Sequence, residues 1–234
     1  MLIALLAITS DPKTFQEVEI AKAVAIHEAE RLSLDYTATM QQEGQTKEMR
    51  IVMAKDGKRE HDKIKVDGEL MAESICDGRT SWMILDPQKA YLEAKLEAIT
   101  EFDPKKVLVK CEPMSFNYGF TSNSQFGFAC DPPLELKSIE AVKEGDEPLR
   151  KVVGAATTAK GSSITITQWF LADKWILKKF NLHGRTQDGD FDIEGEASKI
   201  DFDPKFKDTE FDFDPARIQG YTKQEAPAPQ SGGR

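Results

Sequence analysis

The chain has 234 residues, of which 40 are acidic and 31 basic, giving a net charge of −9. A hydrophobic content of 40% can supply a real core, so we expect one large all-β or α+β domain, or two small ones. An acidic surface without a Lys/Arg-rich block argues against nucleic acid as a partner, and no window approaches the roughly 20 apolar residues of a membrane span.

The first ten residues contain a short apolar run, Leu2 to Ile8. Such a run is typical of the end of a secretory signal peptide, although a basic region before it and a clear cleavage site are missing. We interpret residues 1–10 as the remnant of a signal peptide shortened by a late start codon, which predicts a periplasmic or otherwise exported protein. A first buried strand or helical turn is the alternative.

A helix is predicted next. Asp11 and Pro12 have the pattern of a helix N-cap followed by proline at the first helical position. From there to Arg31, apolar residues recur at helical spacing and predict one buried stripe, formed by Phe15, Val18, Ala21, Ala25 and Ala29.

The pattern then changes to period two, which is typical of strands with one apolar face. Leu32 to Met40 alternates in this way, and the same alternation returns at Met49–Met53 and at Ile64–Val66. Glu-Gly and Asp-Gly turns separate these segments and predict an antiparallel meander. Three further strands complete this half: Leu70–Cys76, one containing Trp82 and Ile84, and one containing Tyr91 and Leu92.

The periodicity breaks between Glu101 and Pro133, and we interpret this segment as a lid, because long irregular segments are usually functional or partly helical. Strands resume at Leu134 and continue to Phe202. The sequence therefore predicts a mainly β (α+β) fold: a single strongly curved antiparallel sheet, an open or unclosed β-barrel of about ten or eleven strands, covered by the N-terminal helix and the middle lid. Residues 219–234 are predicted to be a disordered tail, because their end is rich in Pro, Gln, Ser and Gly.

Catalytic and metal sites find no support in the sequence. The three histidines are far apart, and the spaced aspartates 188, 190 and 192 lack the glycine and glutamate that a calcium loop requires. Three cysteines without CxxC spacing favour neither zinc nor a redox motif. A Cys111–Cys130 disulfide and free thiols both remain open, as does the state of Cys76. We therefore expect no cofactor, no metal and no enzymatic activity.

Two motifs suggest a family. Cys76–Pro87 (CDGRTSWMILDP) resembles the DGKTLW-x-Y-x-P hairpin of LolA/LppX-type lipoprotein carriers, and Phe211–Pro215 (FDFDP) resembles their FxFxPP ending. The Asp-Phe-Asp-Pro at Asp201–Pro204 precedes that ending, as is typical of the family. The order of elements is similar too, and the resemblance covers about residues 12 to 218, so we expect residues 11–218 to form a LolA-like lipid-binding domain.

The resemblance implies an apolar hollow between the concave face of the sheet and its helical cover, where acyl chains of a lipoprotein or other lipid bind. Partners of such a carrier are an inner-membrane loading complex and an outer-membrane acceptor, and we expect a monomer. The alternative is a ligand-sensing or regulatory module of the RseB type, without a transport role. The residues we expect to line the hollow are Leu34, Tyr36, Met49, Ile51, Met53, Ile64, Val66, Trp82 and Ile84, with Trp169 opposite.

Arg59 is a candidate for one further role. In LolA-type carriers an Arg in a Lys-Arg-Pro motif holds the lid closed, and Lys58-Arg59 stands at the similar place here. This chain departs from the motif, because Glu60 replaces the proline. A latch and a solvated cation next to the Asp56-Gly57 turn therefore remain alternative roles for Arg59.

Overall fold

The structure is a computed structural model that describes residues 11–95, 134–157, 161–186 and 189–224. One helix, α1, spans Phe15–Glu28, and six strands follow it: β1 Arg31–Gln42, β2 Gln45–Asp56, β3 Arg59–Val66, β4 Glu69–Asp77, β5 Thr80–Leu85 and β6 Ala90–Lys95. The second half contributes β7 Glu135–Glu144, β8 Glu147–Thr157, β9 Ser163–Leu171, β10 Leu177–Thr186, β11 Gly189–Asp201 and β12 Thr222–Lys223. A short 3₁₀ helix, Pro215–Ile218, precedes β12.

The helix begins three residues later than predicted. Thr14 is the N-cap and its side chain accepts a hydrogen bond from the Glu17 amide at 3.1 Å, so Asp11 and Pro12 lie before the helix. Thr14 and Glu17 have the spacing of a capping box, and this pair, not Asp11-Pro12, determines where the helix begins. The helix ends at Glu28 because Arg31 already pairs with Asp56 in the sheet.

All strands belong to one sheet with the order β12-β6-β5-β4-β3-β2-β1-β11-β10-β9-β8-β7. Two antiparallel meanders, β1–β6 and β7–β11, join where β1 pairs with β11. The prediction of a single unclosed antiparallel sheet with an N-terminal helix is confirmed, with β6 and β7 toward opposite ends of the order. The exception to antiparallel pairing is β12, which runs parallel to β6.

The helix crosses both meanders on one side of the sheet. At its start, a Cβ added to Gly154 of β8 would lie 2.4 Å from Cδ2 of Phe15, so glycine is what allows the helix to dock there. Just after its end, the carbonyl of Ala29 accepts a hydrogen bond from Lys55 of β2. A sheet that reaches one helix from β2 and from β8 must curve around it. We call this side the helix-covered face and the opposite side the outer face.

The outer face of β3–β6 is covered by the segment after β11. Phe211 is buried, Phe213 stacks on Trp82 with ring centroids 4.1 Å apart, and Arg217 donates from Nε to Glu73 at 2.9 Å. Thr222 and Lys223 then form β12, although the sequence predicted a disordered tail from residue 219. The run rich in Pro, Gln and Gly begins only after Gln224, outside the described residues. The predicted signal-peptide remnant, the lid at 101–133, Cys111 and Cys130 also lie outside them.

Candidate functional site

Seven of the ten residues predicted to line the hollow lie together on the helix-covered face. Residues paired directly across antiparallel strands point to the same side, and the pairs Leu34–Met53, Tyr36–Ile51 and Met49–Val66 join β1, β2 and β3. Ile64 pairs with Ile51 in the same way. These residues belong to the core cluster or pack against it, with Met53 and Val66 half-buried and the others buried.

The other three predicted residues lie on the outer face, so their assignment to the same lining is wrong. Trp82 pairs with Ile75 and packs on Phe213, and Ile84 pairs with Glu73. Strand β5 is apolar on both faces because the C-terminal segment covers its outer side, and a strand covered on both sides has no alternation from which to assign a face. Trp169 lies on the outer face beside Lys179, whose Nζ is 4.9 Å from the ring centroid.

Arg59 is also on the outer face. Its side chain forms an ion pair with Asp56 and its guanidinium lies 4.9 Å from the centroid of the Phe211 ring. Its described contacts therefore hold the C-terminal segment against the sheet. A latch over a pocket on the helix-covered face does not fit this position.

Methionine is concentrated on the helix-covered face. Of the seven methionines in the chain, five belong to the core cluster or pack against it. Met49 is buried, and the other four are only half-buried: Met40, Met53, Met71 and Met83. Methionine is flexible and polarisable, so a surface rich in it can adapt to apolar groups of varying shape. Two of these methionines, Met49 and Met53, were predicted to line the hollow. Met40 was not, and neither were Met71 and Met83, because β4 and β5 have no clear alternation.

Polar side chains occupy the end of this face next to the β2–β3 and β4–β5 hairpins. Directly paired residues form a row across β2 to β5, consisting of Lys55, Glu60, Cys76 and Ser81. In the next row Asp62 of β3 stands between Met53 of β2 and Ser74 of β4. We call Lys55, Glu60, Asp62, Ser74, Cys76 and Ser81 the polar end. None of these six residues was predicted from the sequence to form a site.

The polar end is unusual because all of its side chains are buried except Glu60, which is half-buried. Asp62 is 3% exposed, and its Oδ1 has no hydrogen-bond partner within the described parts of the chain. Burial, and then the nearby Glu60 carboxylate, raise the pKa of Asp62 well above its ordinary value. Burial likewise raises the pKa of Glu60 to about 7, against the opposing effect of Lys55. These carboxyl groups therefore resist ionisation near neutral pH.

A second polar cluster lies directly beneath the helix. Glu19 and Lys22 form an ion pair in which both side chains are 1% exposed, and Gln168 of β9 donates to Glu19 at 3.0 Å. Buried pairs of this kind add little net stability but are costly to break. They fix the position of α1 over the second meander.

A groove of about 640 Å³ runs along the flank of α1 that faces the β9–β10 connection. The apolar part of its lining comes from the helix, that connection and the residue after β11, namely Ala21, Val24, Ala25, Ala29, Trp175, Ile176 and Phe202. Charged residues also line it, and Phe202 is the exposed large hydrophobic residue of the described chain. This volume falls within the range of small-molecule sites in proteins. The helix thus has an open apolar flank on the side of the second meander.

The described residues contain no helix long and apolar enough to cross a membrane, and no group of three or more His, Cys, Asp or Glu side chains arranged to hold a metal ion.

No family model matches the chain, and no curated protein matches it. Among solved structures, the chain is similar to a DUF1329 family protein from Desulfovibrio piger, with 13% identity and a TM-score of 0.37 over 88% of this chain and 98% of that one. It is also similar to a LolA superfamily protein from Nitrosomonas europaea, with 9% identity and a TM-score of 0.35 over 85% of this chain and 97% of that one.

A third similar structure is the MucA/MucB complex from Pseudomonas aeruginosa, with 15% identity, a TM-score of 0.36, and coverage of 84% of this chain and 60% of that one. Because each TM-score lies below 0.5, the function proposed below rests on this chain's own contacts.

Proposed function

We propose that this chain is a binding and carrier domain that holds acyl chains of a lipoprotein or another lipid against the helix-covered face. The observation that carries the proposal is the set of half-buried methionines on that face of an unclosed sheet. Fully packed cores use side chains with well-defined rotamers, whereas a site for flexible chains needs side chains that can repack. Each buried CH₂ group of a ligand contributes about 0.8 kcal/mol, which allows micromolar affinity after ordering costs.

The proposal includes export to the periplasm, where the acyl chains of envelope lipids need a water-soluble carrier. The carrier role requires partners that load the site and receive its contents. Binding without catalysis is sufficient for this role.

The test uses two neighbouring residues of β2 that differ in the face they occupy. Met53 lies on the helix-covered face and Val52 on the outer face, and both are half-buried. We expect Met53→Gln to weaken binding of a neutral pyrene-labelled monoacylglycerol by about three- to tenfold, because it makes an apolar contact polar. Val52→Gln should bind the probe as the unmodified chain does.

Titration of probe fluorescence with each purified variant measures the two dissociation constants. Loss of binding in Val52→Gln alone would place the ligand on the outer face and contradict the proposal. So would a probe that fails to bind the unmodified chain.

A further inference from the structure

We propose that the polar end is a headgroup subsite for an amphiphile whose head is an ammonium group, with Asp62 as the principal acceptor. The inference deepens the proposed function and rests on it. The observations that lead to it are the position of the polar end, the unpaired oxygen of Asp62 and the balance of charge around it.

The helix-covered face of the first meander is divided along the strands into a polar and an apolar part. The row through Lys55, Glu60, Cys76 and Ser81 lies nearest the hairpins. Two residues further along the strands, Asp62 is flanked by Met53 and Ser74, and Met83 follows in the same row. Beyond it, the next row is apolar: Tyr36, Ile51, Ile64, Ala72 and Leu85. An amphiphile lying along the strands would meet apolar side chains with its tail and the polar end with its head.

Asp62 supplies the specific chemistry. Its side chain lies on the helix-covered face because it pairs with Met53 and Ser74, and Oδ1 has no hydrogen-bond partner among the described residues. A buried carboxyl oxygen without a hydrogen-bond partner destabilises the folded chain. An N–H donor from a ligand would remove that destabilisation.

The acidic groups of the polar end favour a cation over an anion, because a cation lowers the raised pKa of both carboxyl groups whereas an anion raises it further. Two carboxyl groups, Glu60 and Asp62, stand against one amine, Lys55, which already donates to the carbonyl of Ala29. An anionic head would therefore meet two acidic groups and a lysine that is already engaged. An ammonium head would bring three N–H donors to an oxygen that has no partner, and its charge would favour the ionised form of Asp62.

The experiment compares two single-chain amphiphiles that differ in their heads. Dissociation constants for dodecylammonium and dodecanoate are measured at pH 7 by calorimetry, below the concentration at which either forms micelles. We expect dodecylammonium to bind at least about tenfold more tightly, since its charge favours ionisation of the acidic pair and then pairs with it, whereas a carboxylate head opposes that ionisation. In the variant Asp62→Asn/Glu60→Gln the two affinities should come within about threefold of each other.

Glu48→Gln serves as the matched control, because Glu48 is exposed on the outer face of β2. It should leave the preference unchanged. If Asp62→Asn prevents folding, Glu60→Gln alone is used, and it should reduce the preference at least about threefold.

Each outcome separates the subsite from the function that it rests on. If both amphiphiles bind equally well, or if the double variant keeps the preference, the ammonium subsite is wrong while the acyl-binding proposal stands. If neither amphiphile binds the unmodified chain, the acyl-binding proposal itself fails.

Discussion

Two glutamates on adjacent strands have pKa values shifted in opposite directions, because they lie on opposite faces of the sheet. Glu60 of β3 points to the helix-covered face, where burial raises its pKa to about 7. Glu73 of β4 points to the outer face, and although burial opposes its ionisation, hydrogen bonds from His61 and Arg217 outweigh that effect and lower its pKa to about 2. The two residues therefore contribute to stability in different pH ranges.

Glu60 should oppose folding once it ionises. The pKa of Glu60 in the folded chain lies above its ordinary value of 4.5. The stability that its protonated form contributes to the folded chain is therefore fully present below pH 4.5 and is lost as the pH rises through about 7. Glu60→Gln cannot ionise, so we expect it to be about 1–3 kcal/mol more stable than the unmodified chain at pH 8 and to lose that advantage by pH 4.5. Urea denaturation at both pH values measures the difference. A constant difference between the two pH values would contradict the assignment.

Glu73 should behave in the reverse way. The pKa of Glu73 in the folded chain is lowered, so the stability that its ionised form contributes is present above pH 4.5 and is lost as the pH falls toward 2. Arg217→Ala removes one of its donors and the ion pair with Asp86, and we expect a loss of about 1–3 kcal/mol at pH 7, measured by urea denaturation.

A matched control for Arg217 is available on the outer face of the second meander. Arg185 forms a similar two-contact ion pair with Asp190, but both side chains are about half exposed. Exposed pairs contribute little, so Arg185→Ala should leave stability nearly unchanged. Equal losses in the two variants would show that burial of Glu73 is not the cause.

At the scale of elements, the docking of α1 depends on the contact between Phe15 and Gly154. The missing Cβ of Gly154 leaves the space that the Phe15 ring occupies. We expect Gly154→Ala to cost about 1–3 kcal/mol through overpacking. In Phe15→Leu/Gly154→Ala the smaller side chain relieves the clash, so the loss should be less than the sum of the two single losses. Thermal denaturation of the four chains measures the coupling, and additive losses would contradict the contact.

The elements differ in how well the sequence predicts them. The hairpins were predictable because a glycine marks each turn, at Glu43-Gly44 and at Asp67-Gly68, and all four of these residues have positive φ. The helix start was not, because Thr14 with Glu17 competes with Asp11-Pro12 for the cap. The faces of Trp82 and Ile84 could not be read from β5 itself, since a distant segment covers its outer side. The alternation of a strand can be read from its own residues. Nothing in those residues shows that a segment more than a hundred positions away packs on the outer side of the strand.

At the scale of the whole molecule, the sheet consists of two meanders that join where β1 pairs with β11. The helix binds both meanders through its two ends, at Gly154 and at Lys55. The sequence predicted each meander from local turns, but the pairing of residue 36 with residue 197 has no local signal. Of the apolar rows of the candidate site, the sequence predicted the residues in β1 to β3 but not Ala72, Met83 or Leu85. The buried carboxyl groups of the polar end were missed because alternation predicts only that Glu60 and Asp62 share a face, not what else lies on it.

The central claim is that the helix-covered face binds acyl chains, and photo-crosslinking tests it most directly. A neutral monoacylglycerol with a diazirine in its acyl chain is bound to the full chain and irradiated, and the modified residues are identified by mass spectrometry. Crosslinks should fall on half-buried residues of this face, Met53 and Met83 among them, and excess unlabelled monoacylglycerol should remove them. Crosslinks confined to the outer face, around Val52 or Trp169, or none that the competitor removes, would contradict the claim.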